Sequence, residues 1–230
     1  MTNITLPDNH VARRLSFFLA MEDFVVRQQL ADDAFFLWQV DPSVIYGRNQ
    51  VVENEINLDY CHKHGIQIYQ RKSGGGCVYA DRDNLMLSFV TKEQQVGFAF
   101  NRFVNMLLLV LHKMDIDATG TRHNDILIGE KKVCGTACRM TPYGCIVHST
   151  MLYDTNMQHM LQAITPSHEK LAKNGVESVR QRITLLKDYT SLNLEEIKTL
   201  IIKTLCDKEY RLTDADVCTI EELENNQIVK

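Results

Sequence analysis

The sequence predicts an α+β domain in which a mainly antiparallel mixed sheet is flanked by helices. Two segments, 11–30 and 98–114, repeat apolar residues at three- and four-residue intervals, which is typical of amphipathic helices. Between and after them, short apolar runs alternate with turn residues, which is typical of strands joined by hairpins. At 230 residues the chain can bury a substantial core, so we expect one large domain.

The first third of the chain contains one long helix and several shorter elements. After the helix at 11–30, strand-like runs follow at 34–40, 44–46 and 66–69. Asn57 is a suitable N-cap for a short helix because its side chain can accept from first-turn amides. Gly65 is suited to end that helix because glycine readily takes the left-handed conformation.

The remaining elements follow in chain order. Strand-like runs lie at 78–80, 85–91, 125–128, 132–137 and 145–153. Beyond residue 155 the sequence is mainly helical, with a strong candidate at 194–205, and the tail from Asp207 is polar and charged. We therefore assign 1–190 to the main body of the domain and 191–230 to a helical extension of it.

Composition narrows the class of protein. The 25 Lys and Arg residues against 29 Asp and Glu give a net charge of −4, which argues against a general nucleic-acid binder. No apolar run approaches the length of a membrane span, and no secretory signal is present, so we expect a cytoplasmic protein without a membrane partner. The seven cysteines are scattered, and the Cys134 to Cys138 spacing lacks a second ligand pair, which disfavours zinc.

Three consecutive glycines, Gly74, Gly75 and Gly76, follow the basic pair Arg71 and Lys72. Amides that carry no side chains can point into one concavity and bind an anion, and flanking cations add to the attraction. A phosphate-bearing ligand is therefore one interpretation. A tight hairpin or a flexible loop is the other, and the triplet alone does not separate them.

A second polar cluster begins about fifty residues later and includes Asn124, Asp125 and Lys132. Lys132 is followed by valine and small residues, so its ammonium could lie on a strand with little steric cover. An exposed hairpin turn is the alternative interpretation, because Gly129 and Glu130 precede the two lysines.

Several runs of the sequence resemble motifs of the lipoate–protein ligase family. They are Gln70-Arg71-Lys72-Ser73-Gly74-Gly75-Gly76-Cys77-Val78-Tyr79-Ala80-Asp81, Asn124-Asp125-Ile126 and Lys132-Val133-Cys134-Gly135-Thr136-Ala137. Further similar blocks at 46–50, 148–152 and 178–184 extend the resemblance over about 12–190. The resemblance implies the catalytic domain shared with biotin–protein ligases and related to class II aminoacyl-tRNA synthetases.

The resemblance implies a two-step reaction. Lipoate or octanoate is activated by ATP to an acyl-adenylate, and the acyl group then passes to a lysine of a carrier domain. Lys132 matches the essential lysine of the family. Mg²⁺ is expected to accompany ATP through the phosphate oxygens rather than through a protein cluster. The acyl tail requires an apolar tunnel, which the sheet and the first helix could provide.

The family motifs also imply a set of site residues. Gly74, Gly75 and Gly76 would cover the adenylate, while Gly76, Cys77, Val78 and Tyr79 would offer backbone contacts to the nucleotide. Arg71 would contact phosphate or acyl group, and Asn124 and Asp125 would line the adenine or metal side. The predicted adenylate-binding set also includes Ser73, Gly135, Ala137 and His148.

The resemblance implies lipoyl domains of 2-oxoacid dehydrogenase complexes, or the glycine cleavage H protein, as acceptors. The resemblance implies a C-terminal accessory domain in larger relatives, and we expect no such domain in this chain. We therefore expect that activation could require a separate accessory protein, or that the chain performs transfer only.

Four residues depart from the family pattern, and two alternative functions remain open. Gln70, Ala80, His123 and Ser149 stand where relatives commonly have arginine, histidine, arginine and glycine. Gly144-Cys145-Ile146-Val147-His148-Ser149 resembles a segment of octanoyl transferases, in which a cysteine takes the acyl group without ATP, assisted by a lysine that Lys132 would supply. The alternative interpretation is that Cys145 is a small buried residue of a strand. A non-catalytic module that binds lipoate or a carrier domain is the second alternative.

Two further groups of residues have both a structural and a functional interpretation. Phe35, Phe36 and Trp38 are expected in the core. Arg180 and Arg182 could meet an acidic carrier surface or form salt bridges within the chain.

Overall fold

A large sheet and a small one make up the β-structure of the computed structural model, which describes residues 1–8, 11–121, 125–165 and 182–228. The strands are β1 Thr2–Thr5, β2 Asp33–Trp38, β3 Ser43–Tyr46, β4 Gln67–Gln70, β5 Val78–Ala80, β6 Asn84–Thr91, β7 Ala118–Gly120, β8 Asp125–Ile128, β9 Lys131–Thr141, β10 Gly144–Leu152 and β11 Lys208–Arg211. The helices are α1 Leu15–Gln28, α2 Val52–Glu55, α3 Leu58–Lys63, α4 Val96–His112, α5 Met157–Ala163, α6 Leu194–Leu205 and α7 Asp214–Ile228, with a 3₁₀ turn at Leu186–Tyr189.

The large sheet has eight strands in the order β11-β1-β2-β6-β10-β9-β8-β7. Its pairs are antiparallel except for β1, which runs parallel to both β2 and β11. The predicted α+β class with a mainly antiparallel mixed sheet is therefore confirmed.

The two faces of this sheet form two separate cores. Because side chains alternate along a strand, neighbouring residues of β2, β6 and β10 enter different cores. The α4 face collects Phe35, Leu85, Leu87, Phe89, Cys145 and Val147. The α1 face collects Phe36, Trp38, Met86, Val90 and Ile146. All eight residues of β6 are buried because this strand lies at the centre of the sheet.

The small sheet has the order β4-β3-β5, and the three glycines lie in the segment between β4 and β5. Strand β3 pairs in parallel with β4 and antiparallel with β5, so it separates them. The glycine segment therefore crosses over β3, and its interpretation as a tight hairpin is wrong. A third core cluster, which includes fully buried Tyr79, packs behind this sheet.

Local signals place several helix ends as predicted. The Asn57 side chain accepts a hydrogen bond from the Tyr60 amide at 3.1 Å, and the following helix ends before Gly65, which has φ +64°. Asn193 and Glu196 form a reciprocal capping box at the start of α6. The cores confirm the predicted burial of Phe35, Phe36 and Trp38, which are 0%, 1% and 4% exposed.

Sequence patterns did not predict β1, α2 or β7, nor the strand within the C-terminal tail. The polar tail from Asp207 forms β11 and then α7, rather than helix alone. All four residues of β11 are exposed, so apolar periodicity gives no signal there. The strand forms because its backbone pairs with β1, about two hundred residues earlier in the sequence. In the described part of the chain, none of the helices combines the length and apolarity that crossing a membrane requires.

Gly144 is a position where the fold requires glycine. Its φ is +145°, and a Cβ there would lie 2.1 Å from the Thr91 carbonyl oxygen. We expect Gly144→Ala to lower the free energy of unfolding by about 1–3 kcal/mol, because both the backbone angle and the contact are unfavourable. Urea unfolding midpoints measure this.

Gly97→Ala is the matched control, since a Cβ at Gly97 in α4 meets nothing within 4 Å. That substitution should leave stability unchanged or raise it by about 0.4–1 kcal/mol. Equal stability of the two variants would contradict the prediction.

Candidate active site

One row of residues runs across five neighbouring strands on the α1 face of the large sheet. The row is Trp38 on β2, Met86 on β6, Thr150 on β10, Gly135 on β9 and Asp125 on β8. All five line the same cavity. Four strand spacings of about 4.8 Å make the row about 19 Å long. It is apolar at the Trp38 end and charged at the Asp125 end.

The charged end is organised around Lys132. Its ammonium lies 2.8 Å from Asp125 Oδ1, and Arg182 Nη2 lies 3.1 Å from Asp125 Oδ2. A Cβ on Gly135 would lie 2.5 Å from Lys132 Nζ, so the lysine side chain crosses directly over this glycine. A register shift between β8 and β9 at Ile126/Leu127 accompanies this arrangement.

The glycine segment is held from within by Arg71. This side chain is 5% exposed and donates to the carbonyls of Gly74, Gly76 and Ile45 at 2.7 to 3.1 Å. Because C=O and N–H of one trans peptide point in opposite directions, the amides of Gly75 and Cys77 face away from the guanidinium. Burial lowers the pKa of Arg71.

Gly47 allows the neighbouring backbone to approach this segment. A Cβ on Gly47 would lie 2.2 Å from the Gly75 carbonyl oxygen. The adjacent Arg48 amide donates to the Ser73 carbonyl at 3.0 Å. Glycine at position 47 therefore keeps the turn after β3 in contact with the glycine segment. Gly75 itself has φ +93°, which also favours glycine.

Two neighbouring acids of α1, Glu22 and Asp23, are tied to the start of the glycine segment, and each is 2% exposed. His148 lies between Glu22 and Ser73, with its Nδ1 3.1 Å from Glu22 Oε2 and its Nε2 2.8 Å from Ser73 Oγ.

Asp23 binds Lys72 Nζ at 2.6 Å and also pairs with Arg139. Burial alone would raise the Asp23 pKa, but Arg139 and Lys72 together hold it below its ordinary value. These pairs stabilise the fold near neutral pH, and their contribution is lost as the pH falls through the folded-state pKa.

The cavity has a volume of about 350 Å³, within the range of small-molecule sites. The large sheet forms one wall, while Ile45, Val78 and the glycine segment form another. Leu19 of α1 lies at the apolar end, and Ile164, Arg182 and Ile183 also line the cavity. The arrangement suits a molecule with an apolar chain and an anionic head.

Most of the predicted site residues meet at this cavity. Its lining includes Arg71, Gly75, Gly76, Cys77, Val78, Asp125, Lys132, Gly135, Ala137 and His148. Ser73, Gly74 and Tyr79 are outside the described lining, although Ser73 contacts His148. Asn124, His123 and Arg180 lie outside the described residues. The ligand contacts predicted for these side chains stay predictions.

Lys132 is not simply a solvated turn residue. Its strand does follow the Gly129–Glu130 turn, but its side chain is only 25% exposed and enters the cavity. Of the described departures from the family pattern, Gln70 reaches the Arg48 carbonyl at 3.3 Å, and Ala80 is buried in β5. Neither belongs to the described lining of the cavity, whereas Ser149, the third described departure, does.

Cys145 lies on the opposite face of the large sheet. It is 0% exposed in the core under α4, whereas His148, three residues later, faces α1. Burial raises the pKa of the Cys145 thiol. Its interpretation as a small buried strand residue is therefore confirmed, and Lys132 is not beside it in the cavity. Burial also raises the pKa of Cys134 to about 12.

Sequence reasoning missed several residues of the site. Trp38 and Met86 look like ordinary core residues, and Thr150 and Glu22 belong to no motif. The pairing register of β2, β6 and β10 brings Trp38, Met86 and Thr150 together, whereas Glu22 comes from α1. Glu22 did carry one signal, because it is an acid within the apolar face of a predicted helix.

Known proteins of similar sequence indicate the family to which this chain belongs. A sequence model of the lipoyl protein ligase A/B catalytic domain matches residues 15–206. Lipoate–protein ligase 1 of Staphylococcus aureus is 33% identical over 217 residues, which cover 91% of this chain and 66% of that protein.

Two solved structures share the fold. One is described as a bi-partite lipoate protein ligase and its E2 lipoyl domain from Thermoplasma acidophilum. It has a TM-score of 0.84 and 25% identity, covering 97% of this chain and 91% of that chain. The other is a lipoate-protein ligase A bound with ATP, with a TM-score of 0.84 and 23% identity, covering 97% and 94% of the two chains.

The chain spans about two thirds of the length of the curated relatives it matches, 66% of the Staphylococcus aureus protein and 65% of a Bacillus subtilis lipoate-protein ligase. The resemblance read from the glycine and lysine motifs is confirmed. Because the family model covers well over half of its residues, the chain belongs to the family of lipoyl protein ligase A/B catalytic domains.

Proposed function

We propose that this chain is the catalytic part of a lipoate–protein ligase that acts in the cytoplasm. It activates lipoate or octanoate with ATP and transfers the acyl group to a lysine of a lipoyl carrier domain. The observation that carries this proposal is the single row from Trp38 to Asp125, with Lys132 lying over Gly135 at its charged end. A medium-chain acid likewise has an apolar chain at one end and a charged carboxylate at the other.

The substrate lies along the row. Its chain packs on Trp38, Met86 and Leu19, where burial removes apolar surface from water. Its carboxylate then reaches Lys132, and the ammonium compensates the charge that is desolvated there. This orientation follows from the row, because the reverse orientation would bury the carboxylate against the indole.

The first step is attack of a carboxylate oxygen on the α-phosphorus of ATP, with pyrophosphate as the leaving group. Negative charge grows on the phosphoryl oxygens as the new bond forms. Lys132 can donate to those oxygens, and the amides of Gly75 and Cys77 are turned away from Arg71. Groups held in place before the reaction stabilise such charge without reorganisation.

The second step joins the acyl group to the carrier. The amine of the carrier lysine attacks the carbonyl carbon, the amide bond forms, the amine loses a proton, and AMP leaves. Charge now develops on the carbonyl oxygen, which lies at the same end of the row as Lys132. One cation therefore serves both steps, because the acyl carbon and the phosphorus share a bridging oxygen in the adenylate.

Mg²⁺ enters with ATP. Of the described residues that line the cavity, Glu55 and Asp125 carry carboxylates, and Asp125 is already paired with Lys132. This donor set supports a metal held mainly through phosphate oxygens, as Mg²⁺ often is.

The acceptor is a lipoyl domain of a 2-oxoacid dehydrogenase complex or the glycine cleavage H protein. The Thermoplasma acidophilum ligase of similar fold is described as bi-partite and together with an E2 lipoyl domain. That description supports a carrier-domain acceptor and an accessory protein as a second partner. Arg182 is half-buried and paired with Asp125, which favours a role within the site over carrier recognition.

The proposal is tested by the intact mass of an apo lipoyl domain after incubation with the chain, ATP and lipoate. We expect a gain of one lipoyl group, with pyrophosphate released. We expect Lys132→Ala to lower pyrophosphate release at least about 100-fold, because a cation is lost where charge develops.

Lys131→Ala is the matched control, since Lys131 is the exposed preceding lysine of the same strand. It should retain the rate of the unchanged protein. If Lys132→Ala retains pyrophosphate release, the assigned role of Lys132 is wrong.

Gly47→Ala tests the seating of the glycine segment. The added methyl group would meet the Gly75 carbonyl, so the segment must shift away from β3. We expect kcat/KM for ATP to fall by about tenfold or more, since small displacements of positioning groups are costly. The control is Gly97→Ala. If the two variants have the same kcat/KM for ATP, the role given to the contact between Gly47 and Gly75 is contradicted.

Cys145→Ser separates the proposal from ATP-independent transfer. The thiol lies in the other core, so ATP-dependent lipoylation should persist within about threefold when the variant is folded. Transfer from an octanoyl carrier in the absence of ATP, abolished by this substitution, would favour the transferase. Binding of lipoate without either reaction would favour a binding module.

A further inference from the structure

A continuous chain of hydrogen bonds runs from the apolar end of the cavity to the start of the glycine segment. Trp38 Nε1 donates to Ser88 Oγ at 2.9 Å, and Ser88 Oγ donates to Glu22 Oε1 at 2.6 Å. Glu22 Oε2 lies 3.1 Å from His148 Nδ1, and His148 Nε2 lies 2.8 Å from Ser73 Oγ. Four bonds therefore join Trp38 to Ser73.

The chemistry of the groups fixes the direction of the bonds made by the indole and by the carboxylate. An indole N–H can only donate, and a carboxylate can only accept. Ser88 therefore receives from Trp38 and gives to Glu22, while His148 gives its Nδ1 proton to the same carboxylate. The Ser73 hydroxyl can both donate and accept, so it can bond His148 Nε2 in either role. In this chain of hydrogen bonds from Trp38 to Ser73, which we call the relay, no donor faces another donor.

Four of the five members of the relay are deeply buried and cannot easily exchange a partner for water, whereas the His148 side chain is 12% exposed and lines the cavity. Glu22, Ser73 and Ser88 are 2%, 2% and 0% exposed, and Trp38 is 4% exposed. A movement that breaks one bond leaves a buried polar group unsatisfied, which is costly. The position of the indole and that of the Ser73 hydroxyl are therefore linked through Glu22.

The two ends of the relay belong to different halves of the cavity. Trp38 lines the apolar half, where we place the acyl chain. Ser73 directly precedes Gly74, Gly75 and Gly76, which belong to the half where we place ATP. We propose that Glu22 is a positioning residue that couples the two halves, so that an acyl chain held against Trp38 favours the arrangement of the glycine segment that binds ATP. This inference rests on the proposed function. The coupling must be reciprocal, because both ligands act on one equilibrium.

Ser73, His148 and Glu22 also have the order of a hydrolytic triad, in which a serine attacks an acyl carbon. Attack requires the hydroxyl to reach the substrate. Ser73 is 2% exposed and lies outside the described lining of the cavity, while Glu22 receives a further bond from Ser88. This geometry supports a relay that holds the segment rather than a nucleophile.

Asp23 provides a matched comparison within the same helix. It anchors Lys72, next to Ser73, through an ion pair, and it also pairs with Arg139. Loss of the Asp23 charge should loosen the segment whether or not an acyl chain is bound. Loss of the Glu22 charge should remove the dependence of one ligand on the other.

The experiment measures binding of α,β-methylene-ATP, which cannot release pyrophosphate, by calorimetry with and without saturating octanoate. For the unchanged protein we expect octanoate to tighten nucleotide binding at least about fivefold. In Glu22→Gln and Ser88→Ala the ratio of the two affinities should fall to about one. In Asp23→Asn both affinities should weaken while their ratio is kept.

Each result decides a different claim. If neither ligand binds, the proposed function fails and this inference fails with it. If both bind and octanoate has no effect in the unchanged protein, or if both relay variants keep the ratio, the coupling is overturned while the proposed function stands. Should Glu22→Gln prove unfolded by thermal melting, Ser88→Ala decides the question, because it removes a single hydroxyl from the relay.

Discussion

The site depends above all on the buried guanidinium of Arg71. A run of three glycines has a large conformational entropy when unfolded, so something must compensate for ordering it. Arg71 does so by binding the carbonyls of Gly74 and Gly76 together with that of Ile45 on β3. The same bonds set the direction of the intervening peptides. The buried cation therefore contributes here through the backbone of the glycine segment that it holds.

The two faces of the large sheet have different roles: one packs the apolar core, and the other carries the cavity. The α4 face is a continuous apolar core, and it takes Cys145 and Cys134 out of reach of the cavity. The α1 face carries the buried acids, the imidazole and the row of cavity residues. Because side chains alternate along each strand, β6 and β10 contribute to both faces without conflict. The amphipathic helix α1 supplies Leu19 to the cavity and Glu22 to the polar network above it.

Sequence reasoning recovered what short segments encode. The Asn57 cap, the strands on either side of the glycine triplet and the strand that carries Lys132 depend on neighbours close in sequence, and the structure has each of them. The strand β11 could not be predicted, because its exposed residues carry no period and its partner is β1. The row from Trp38 to Asp125 could not be predicted either. It arises from the register of five strands, and a one-residue slip would turn its members to the other face.

The charged end of the cavity gives an acidic chain a local positive charge, which suits the anionic substrate that we propose. The full sequence has a net charge of −4, but Lys132 and Arg182 against Asp125 leave a local balance of 2 − 1, or +1. Asp125 holds both cations in place while no anion is bound, so their side chains lose little further freedom when one arrives. Gly135 completes the arrangement, since any side chain there would occupy the position of the Lys132 ammonium. The local positive charge is thus a property of three neighbouring side chains and one missing Cβ, and does not require a basic protein.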